Sequence, residues 1–377
     1  MSTTVGTIIR NLPPPMLQMT DSFPYPRDAA AETRVPVEVL RAFIVRVLIK
    51  KSMFQFDADV VADRMLEADL RGIDGHGCRA LPDYVEVMDL GDIDPRARVL
   101  VEHETVAVAT LDGSRAMGQV AATKAMDLAV KKAQEVGTGT VAVHHSQHLG
   151  AASVYALLAA KQGLIGFCTS NTGSPSVTAP GTKQPAVANA PLAWAIPTAD
   201  GHPIVVDFAT GAASWGKLKL LQTHGLPVPA GIALDETGTE TTDPNLSKVL
   251  LPAAGARGFG LALTAALLSG GLAGGKLPHQ KKRSAASECS EHLLMAIDMA
   301  HFSDRDRFLA RAAEAQQAIR ELTPVDPDQP VRTPGDRGAR TEADRRTNGI
   351  PLHSSDLEAL AALGRKLKIE APWQPTS

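Results

Sequence analysis

Aromatic side chains make up only 4% of the 377 residues, too few for the stacked platforms on which single-stranded nucleic acid lies. Neither sign of charge dominates. The 38 Lys and Arg stand against 41 Asp and Glu, a formal net charge of −3, so nothing draws the chain to a polyanion or an anionic membrane surface. Cysteine is scarce and odd in number: Cys78, Cys168 and Cys289 form no CxxC pair, which argues against a disulfide framework and for a reducing cytoplasm. The first 35 residues carry Pro13, Pro14 and Pro15 in a row and lack the apolar centre of a secretory leader. The best candidate for a membrane span, Gly258 to Gly275, is broken by Ser269, Gly270 and Gly271 and falls short of the ~20 apolar residues a span needs.

What is present is ordinary for a globular protein. A 44% hydrophobic and 21% charged composition excludes disorder as the dominant state, and the length allows about two domains of ~150 residues. Leu40, Phe43, Ile44, Val47 and Leu48 recur with helical period. A second helix is expected from Asp57, as N-cap, to Gly72. Strand-like runs follow at Arg98 to Val101 and Thr105 to Leu111, then a helix from Gly118 to Gly137. Thr140 to Val143, Gly150 to Gln162 and Leu164 to Cys168 read as strand, helix and strand. Pro203 to Asp207 and His292 to Met299 read as strands and Gly258 to Leu268 as helix. Pro324 to Arg346, charged and rich in Pro and Gly, reads as a long loop or ligand-covering segment. The class is mixed α/β; the pattern does not separate parallel from antiparallel sheet.

Gly75, Gly77 and Ala80 match the G-x-G-x-x-A spacing of dinucleotide turns. Such a turn must follow a buried strand, and the preceding Asp57 to Leu70 segment is helical and charged, so a Rossmann unit is not expected. The loop itself has another use. Glycines bracketing His76 let the backbone turn sharply and a ligand approach, and a histidine there titrates near neutrality. The alternative is an inert surface turn. His144, His145 and His148 cluster where a strand enters a helix, a common ligand position, although capping and packing would also explain them. No HExxH or nearby cysteine accompanies them, so no metal is expected. Asp207 ends an apolar strand, where it either binds a ligand donor or caps the next helix. No G-x-S-x-G supports serine hydrolysis.

Taken in order, several runs resemble the malate/L-lactate dehydrogenase family of the second type. This family includes ureidoglycolate and sulfolactate dehydrogenases and diketogulonate and piperideine-carboxylate reductases. The runs are RGIDGHG at Arg71 to Gly77, LPDY at Leu81 to Tyr84, HSQHLG at His145 to Gly150, and GLIGFCTSNT at Gly163 to Thr172. PIVVDFAT at Pro203 to Thr210, DETGTETTDP at Asp235 to Pro244, LLPAAGARGFG at Leu250 to Gly260 and PGD at Pro334 to Asp336 complete the series. The resemblance implies a non-Rossmann, largely antiparallel sheet flanked by helices, NAD or NADP as cofactor, and a homodimer.

By the same resemblance, His76 and His148 fall on the two catalytic-site histidines and Tyr84 lines the substrate pocket. Thr172, Asp207, Phe208, Ala209, Arg257, Gly258, Gly335 and Asp336 fall on cofactor contacts. Several positions depart from the family. Its T-N-P becomes Asn189, Ala190 and Pro191, and its K-G becomes Arg257 and Gly258. Two departures are substrate-facing: Gly75 stands where the family usually has Ser, and Ala80 where it has the carboxylate-binding Arg. Arg79, one step earlier, is expected to take over that task. The expected layout is an extension over 1–35, a substrate-side helical region over 36–115, a cofactor-binding sheet domain over 116–300, and C-terminal helices and a loop over 301–377. The expected function is hydride transfer between nicotinamide and a small 2-hydroxy or 2-oxo acid, with His76 exchanging the proton and His148 orienting the substrate. Reduction of a cyclic imine carboxylate is the alternative. From other classes, a non-catalytic cofactor-binding homologue and a metal-dependent hydrolase using His144 and His148 remain open.

Overall fold

The computed structural model describes residues 28–282 and 289–373. The triple proline and most of the expected extension lie outside them. The described part of that extension includes strand β1 (Glu32–Val35), so it is not wholly an arm. Helix α1 (Val37–Lys50) buries Leu40, Phe43, Ile44, Val47 and Leu48 although its N-cap, Pro36, supplies no side-chain hydrogen bond. A missing cap forfeits about 1 kcal/mol, whereas each large apolar side chain buried is worth about 1.5–3 kcal/mol, so packing decides. Helix α2 (Gln55–Leu70) starts before Asp57, which sits in its first turn instead of capping it. There a carboxylate still meets the positive end of the helix dipole. Helix α3 (Leu81–Asp89) adds Leu81, Tyr84, Val85 and Met88 to the same apolar cluster.

Strands β2 (Leu100–Glu104) and β3 (Val108–Asp112) precede α4 (Gly118–Val136), which stops at Gly137 with φ of 90°. Then come β4 (Thr138–Ser146), α5 (Ser153–Lys161) and β5 (Ile165–Asn171). Short strands β6 (Val177–Thr178) and β7 (Pro185–Val187) lead to β8 (Pro191–Ile196) and β9 (Ile204–Ala209). Helix α6 (Trp215–Thr223) is followed by β10 (Ala233–Leu234), β11 (Glu240–Thr241), β12 (Val249–Leu250) and α7 (Ala256–Ala266). The chain continues through β13 (Ser290–Ile297), α8 (Arg305–Arg320), α9 (Asp336–Asn348), β14 (Ile350–His353) and α10 (Ser354–Leu367).

The main sheet has seven strands in the order β2-β3-β4-β13-β5-β8-β9. Only the β3–β4 pairing is parallel; the other neighbours run antiparallel. This is the largely antiparallel, non-Rossmann sheet expected. Helices α4 and α5 cover one face with Ala122, Met126, Ala129, Tyr155, Ala156 and Ala159, all fully buried. A smaller five-stranded sheet, β11-β10-β12-β6-β7, packs near α6 and α7. Strand β14 returns to pair with β1, and α10 completes the cluster formed by α1, α2 and α3.

One expectation fails in a specific place. Residues 336–346 of the presumed long loop belong to α9, which runs on to Asn348. The helix carries no apolar stripe, so periodicity could not reveal it. Ionic contacts hold it instead: Asp344 to Arg34 at 2.9 Å, Glu342 to Arg71 at 3.2 Å, and Arg345 to the carboxylate of Asp74.

Candidate active site

The turn that carries His76 is short and heavily braced. It follows α2 as a single 3-10 turn, Asp74–His76. The Asp74 carboxylate, 1% exposed, pairs with Arg345, itself 2% exposed. Arg345 also donates to the carbonyl of Asp69, while an Asp69 carboxylate oxygen accepts the Cys78 amide at 2.7 Å. Any side chain at Gly77 would fall inside that carboxylate, so only glycine lets the turn close on it. On the other side Gly75 packs on Gly216 at the start of α6. A Cβ at residue 75 would lie 3.3 Å from the Gly216 Cα. That contact accounts for a glycine where the resembling family usually has serine.

His148 arrives from the end of β4. Its ring centroid lies 5.3 Å from that of His76, with 40° between the planes, and its Nδ1 is 2.8 Å from the Tyr84 hydroxyl. Fully buried His292 steadies the end of β4, with Nδ1 2.8 Å from Ser170 Oγ and Nε2 3.0 Å from Ser146 Oγ. Both catalytic candidates are half-buried. Removal from bulk water lowers His76 to about 4. The same effect, helped by His76 and His292, lowers His148 to about 3. The expectation that His76 titrates near neutrality is therefore corrected: the pair is neutral at pH 7, because withdrawal from water penalises the imidazolium.

His76 forms part of the wall of a cleft of about 450 Å³. Asp207, Phe208, Ala209 and Gly335 line the same cleft, as do the cations Arg71, Lys217 and Arg337. Asp207 accepts the Ser153 amide at the start of α5 at 3.1 Å. It opens to the cleft but is walled by protein, and this desolvation raises its pKa above the usual carboxylate range. A larger cavity of about 690 Å³ lies between α2, α4 and β2. It is lined by Phe54, Phe56 and Leu100 among others and by no histidine or cysteine, so of the two it is the smaller cleft that carries an imidazole in its wall.

The remaining expected residues are placed elsewhere. Arg79 directs its Nε to Asp356 at 2.6 Å and its Nη2 to the Pro351 carbonyl at 3.3 Å, and its Nη1 lies 3.6 Å from Asp74. It does not line the cleft. Asp336 braces its own turn, accepting from the Thr333 amide at 2.7 Å and pairing with Arg320. Thr172 follows β5, exposed Arg257 lies at the start of α7, and buried Gly258 allows close packing on the carbonyls of Ala253 and Thr210. None of these lines the cleft either. The histidine run divides: His144 Nε2 meets Glu102 at 2.7 Å, and His145 Nδ1 lies 3.5 Å from Asp112. Lys217, Arg71, Ser153 and Arg337 were missed as cleft residues. Arg71 lay within the RGIDGHG run, and Lys217 sits three residues after Ser214, whose side chain caps α6.

The cleft's chemistry fits a nicotinamide dinucleotide. Three cations suit two phosphates, Asp207 can accept from an amide or hydroxyl, and Pro191, Val205 and Phe208 offer apolar surface to a ring. Together, fold and site belong to the class of dehydrogenases that act on small hydroxy acids with NAD or NADP. Residues 35–361 match the malate/L-lactate dehydrogenase family, and the chain belongs to it. It is 34% identical over 350 residues to a malate dehydrogenase of Pyrococcus abyssi, covering 89% of this chain and 96% of that protein. It superposes on the malate dehydrogenase of Entamoeba histolytica with a TM-score of 0.86 and 27% identity, over 91% of this chain and all of that one. The delta1-piperideine-2-carboxylate reductase of Pseudomonas syringae pvar. tomato is similar too, with a TM-score of 0.80 and 28% identity over 88% of this chain and 99% of that chain.

Proposed function

We propose that this enzyme interconverts a small 2-hydroxy acid and its 2-oxo acid, with His76 exchanging the proton and His148 holding the reacting oxygen. The observation that carries the reading is His76 in the wall of a cleft shared with Asp207 and Gly335, with the neutral imidazole of His148, itself outside that lining, at a centroid distance of 5.3 Å. Bound NAD or NADP supplies the hydride acceptor or donor. Asp207, Phe208, Ala209 and Gly335 would hold it within the cleft; Gly258 and Asp336 support the nearby backbone and turn, and Thr172 and Arg257 rest on the resemblance alone.

In the oxidative direction a His76 nitrogen takes the hydroxyl proton as hydride leaves the same substrate carbon. Burial raises the Tyr84 phenol above its ordinary pKa, so it remains a donor. Donation to His148 Nδ1 would leave the proton on Nε2, the nitrogen then able to donate to the substrate oxygen. The substrate carboxylate needs a cation. Lys217 adjoins the Gly75–Gly216 contact and lines the cleft, whereas Arg79 faces Asp356. Arg79→Ala and Lys217→Ala separate the two: the variant whose KM rises strongly with little change in kcat identifies the anchor.

The likeness to a piperideine-carboxylate reductase favours one second reading, reduction of a cyclic imine carboxylate, which also needs hydride delivery and one proton. A homodimer is supported by the exposed leucines of and just beyond α7: Leu261, Leu263, Leu267, Leu268 and Leu272. Three free cysteines suit a cytoplasmic setting, and no helix among the described residues is long and apolar enough to cross a membrane. The test is to titrate NADH and NADPH separately by fluorescence, then measure turnover on a panel of 2-oxo acids and cyclic imine carboxylates. Binding of neither cofactor refutes the reading.

A further inference from the structure

The histidine run is split by a bulge. In the β4–β13 ladder Ser290 faces Ser146, and the next partners are His292 and Val143, so β4 carries an extra residue at His144 and His145. Bulges re-aim side chains. His145 takes φ of +51°, a left-handed conformation that costs roughly 1–2 kcal/mol for a residue with a Cβ. Its imidazole is thereby brought to Asp112 at the end of β3, whose register partner is His144.

The His145 Nδ1 to Asp112 Oδ1 distance is 3.5 Å. A charged hydrogen bond is about 2.7–2.9 Å long. Two ligands of a tetrahedral ion with bonds of about 2.0–2.1 Å stand roughly 3.3 Å apart, close to the observed spacing. His144 supplies a third donor: ligand atoms of Asp112, His144 and His145 all lie within 4.8 Å of one another. The His144 Nε2 to Glu102 distance of 2.7 Å fixes its tautomer. A carboxylate only accepts, so Nε2 carries the proton and Nδ1 keeps a lone pair for a ligand. Carboxylates orient metal-binding imidazoles in this way.

We propose that Asp112, His144 and His145 form a surface site for a transition-metal dication of the Zn²⁺ type, with Glu102 as the outer carboxylate that orients His144. Two imidazoles and one carboxylate suit such an ion and not Mg²⁺ or Ca²⁺, which take oxygen shells. Three protein ligands leave one position for water. None of the three residues lines the cleft, and the two imidazoles turn to Asp112 and Glu102. The site clamps β3 to the bulge from which the chain runs on to His148.

The test is calorimetric titration of chelator-treated full-length protein with ZnCl2. One ion per chain should bind with micromolar affinity and raise the melting temperature, while MgCl2 gives no binding heat. His145→Asn keeps a side chain that tolerates left-handed backbone. It and Asp112→Asn should each weaken Zn²⁺ at least about tenfold, and Glu102→Gln about tenfold, as for loss of an outer-shell partner. Exposed His202→Ala should leave affinity unchanged. Absence of binding, or an equivalent of Zn²⁺ that survives both His145→Asn and Asp112→Asn, overturns the proposal. If the surviving ion also stops turnover, it sits on the His76–His148 pair.

Discussion

The two histidines proposed to act in catalysis are held by opposite means. His76 rests on buried ions: Asp74 with Arg345, Asp69 beneath the Cys78 amide, and Arg79 between Asp74 and Asp356. His148 rests on neutral hydrogen bonds, from Tyr84 directly and through the Ser170–His292–Ser146 chain that steadies β4. A buried ion network fails sharply, because removing one member strands a charge without water. A neutral network degrades gradually, each lost hydrogen bond costing about 0.5–1.5 kcal/mol. The comparison teaches that His76, proposed to exchange the proton, is held by all-or-none contacts and His148, its proposed orienting partner, by adjustable ones.

Arg345→Met should show the difference most strongly. It takes from buried Asp74 its nearest cation and leaves Arg79 at 3.6 Å, an expected loss of about 3 kcal/mol in unfolding free energy, with turnover falling alongside as the His76 turn relaxes. Denaturant melts and kcat measured on the same sample check this. A stability within about 1 kcal/mol of wild type would remove the ionic half of the comparison. Gly75→Ser comes next. Its Cβ would meet the Gly216 Cα at 3.3 Å, so overpacking should cost about 1–3 kcal/mol. A variant of unchanged or higher melting temperature would show that α6 simply moves aside. Tyr84→Phe should be mildest, removing one hydrogen bond to His148 for about 1 kcal/mol, or less than about tenfold in kcat.

A pH profile sharpens the comparison without mutation. Burial lowers His76 to about 4 and His148 to about 3, so the basic form of each persists as pH falls. For hydroxy-acid oxidation, kcat/KM should therefore stay level from pH 8 down to about 5. An inflection near the ordinary histidine value of about 6.5 would mean that the free enzyme's base is better solvated than this structure has it.

Much of this arrangement was legible in the chain, and the exceptions have physical reasons. The helices α1 and α4 announced themselves through apolar period, and the His76 loop through its glycines. Helix α9 did not, because its contacts are ionic and its partners distant: Arg345 reaches Asp74 across 271 positions. No local pattern records a pairing of that kind. The resemblance brought Asp207, Phe208, Ala209 and Gly335 to one cleft, yet Lys217 was missed because a single cation after a helix cap carries no signal of its own. Arg79 looked available one residue from its expected place, but 3-10 geometry directs it to Asp356. The three-histidine run was visible as a cluster. Its division, with His148 beside His76 and His145 turned to Asp112, depends on one extra residue in β4, which only the ladder with β13 reveals.

The most direct test of the central claim is to measure kcat and cofactor Kd for His76→Ala and His148→Ala side by side, with melting temperatures as a check on folding. His76→Ala should lower kcat by about 10²–10⁴-fold, as for loss of a general acid–base, while leaving cofactor Kd nearly unchanged. His148→Ala should place a larger share of its loss in substrate KM. If His76→Ala instead keeps near-normal kcat while His148→Ala abolishes it, the roles are reversed and His148 exchanges the proton.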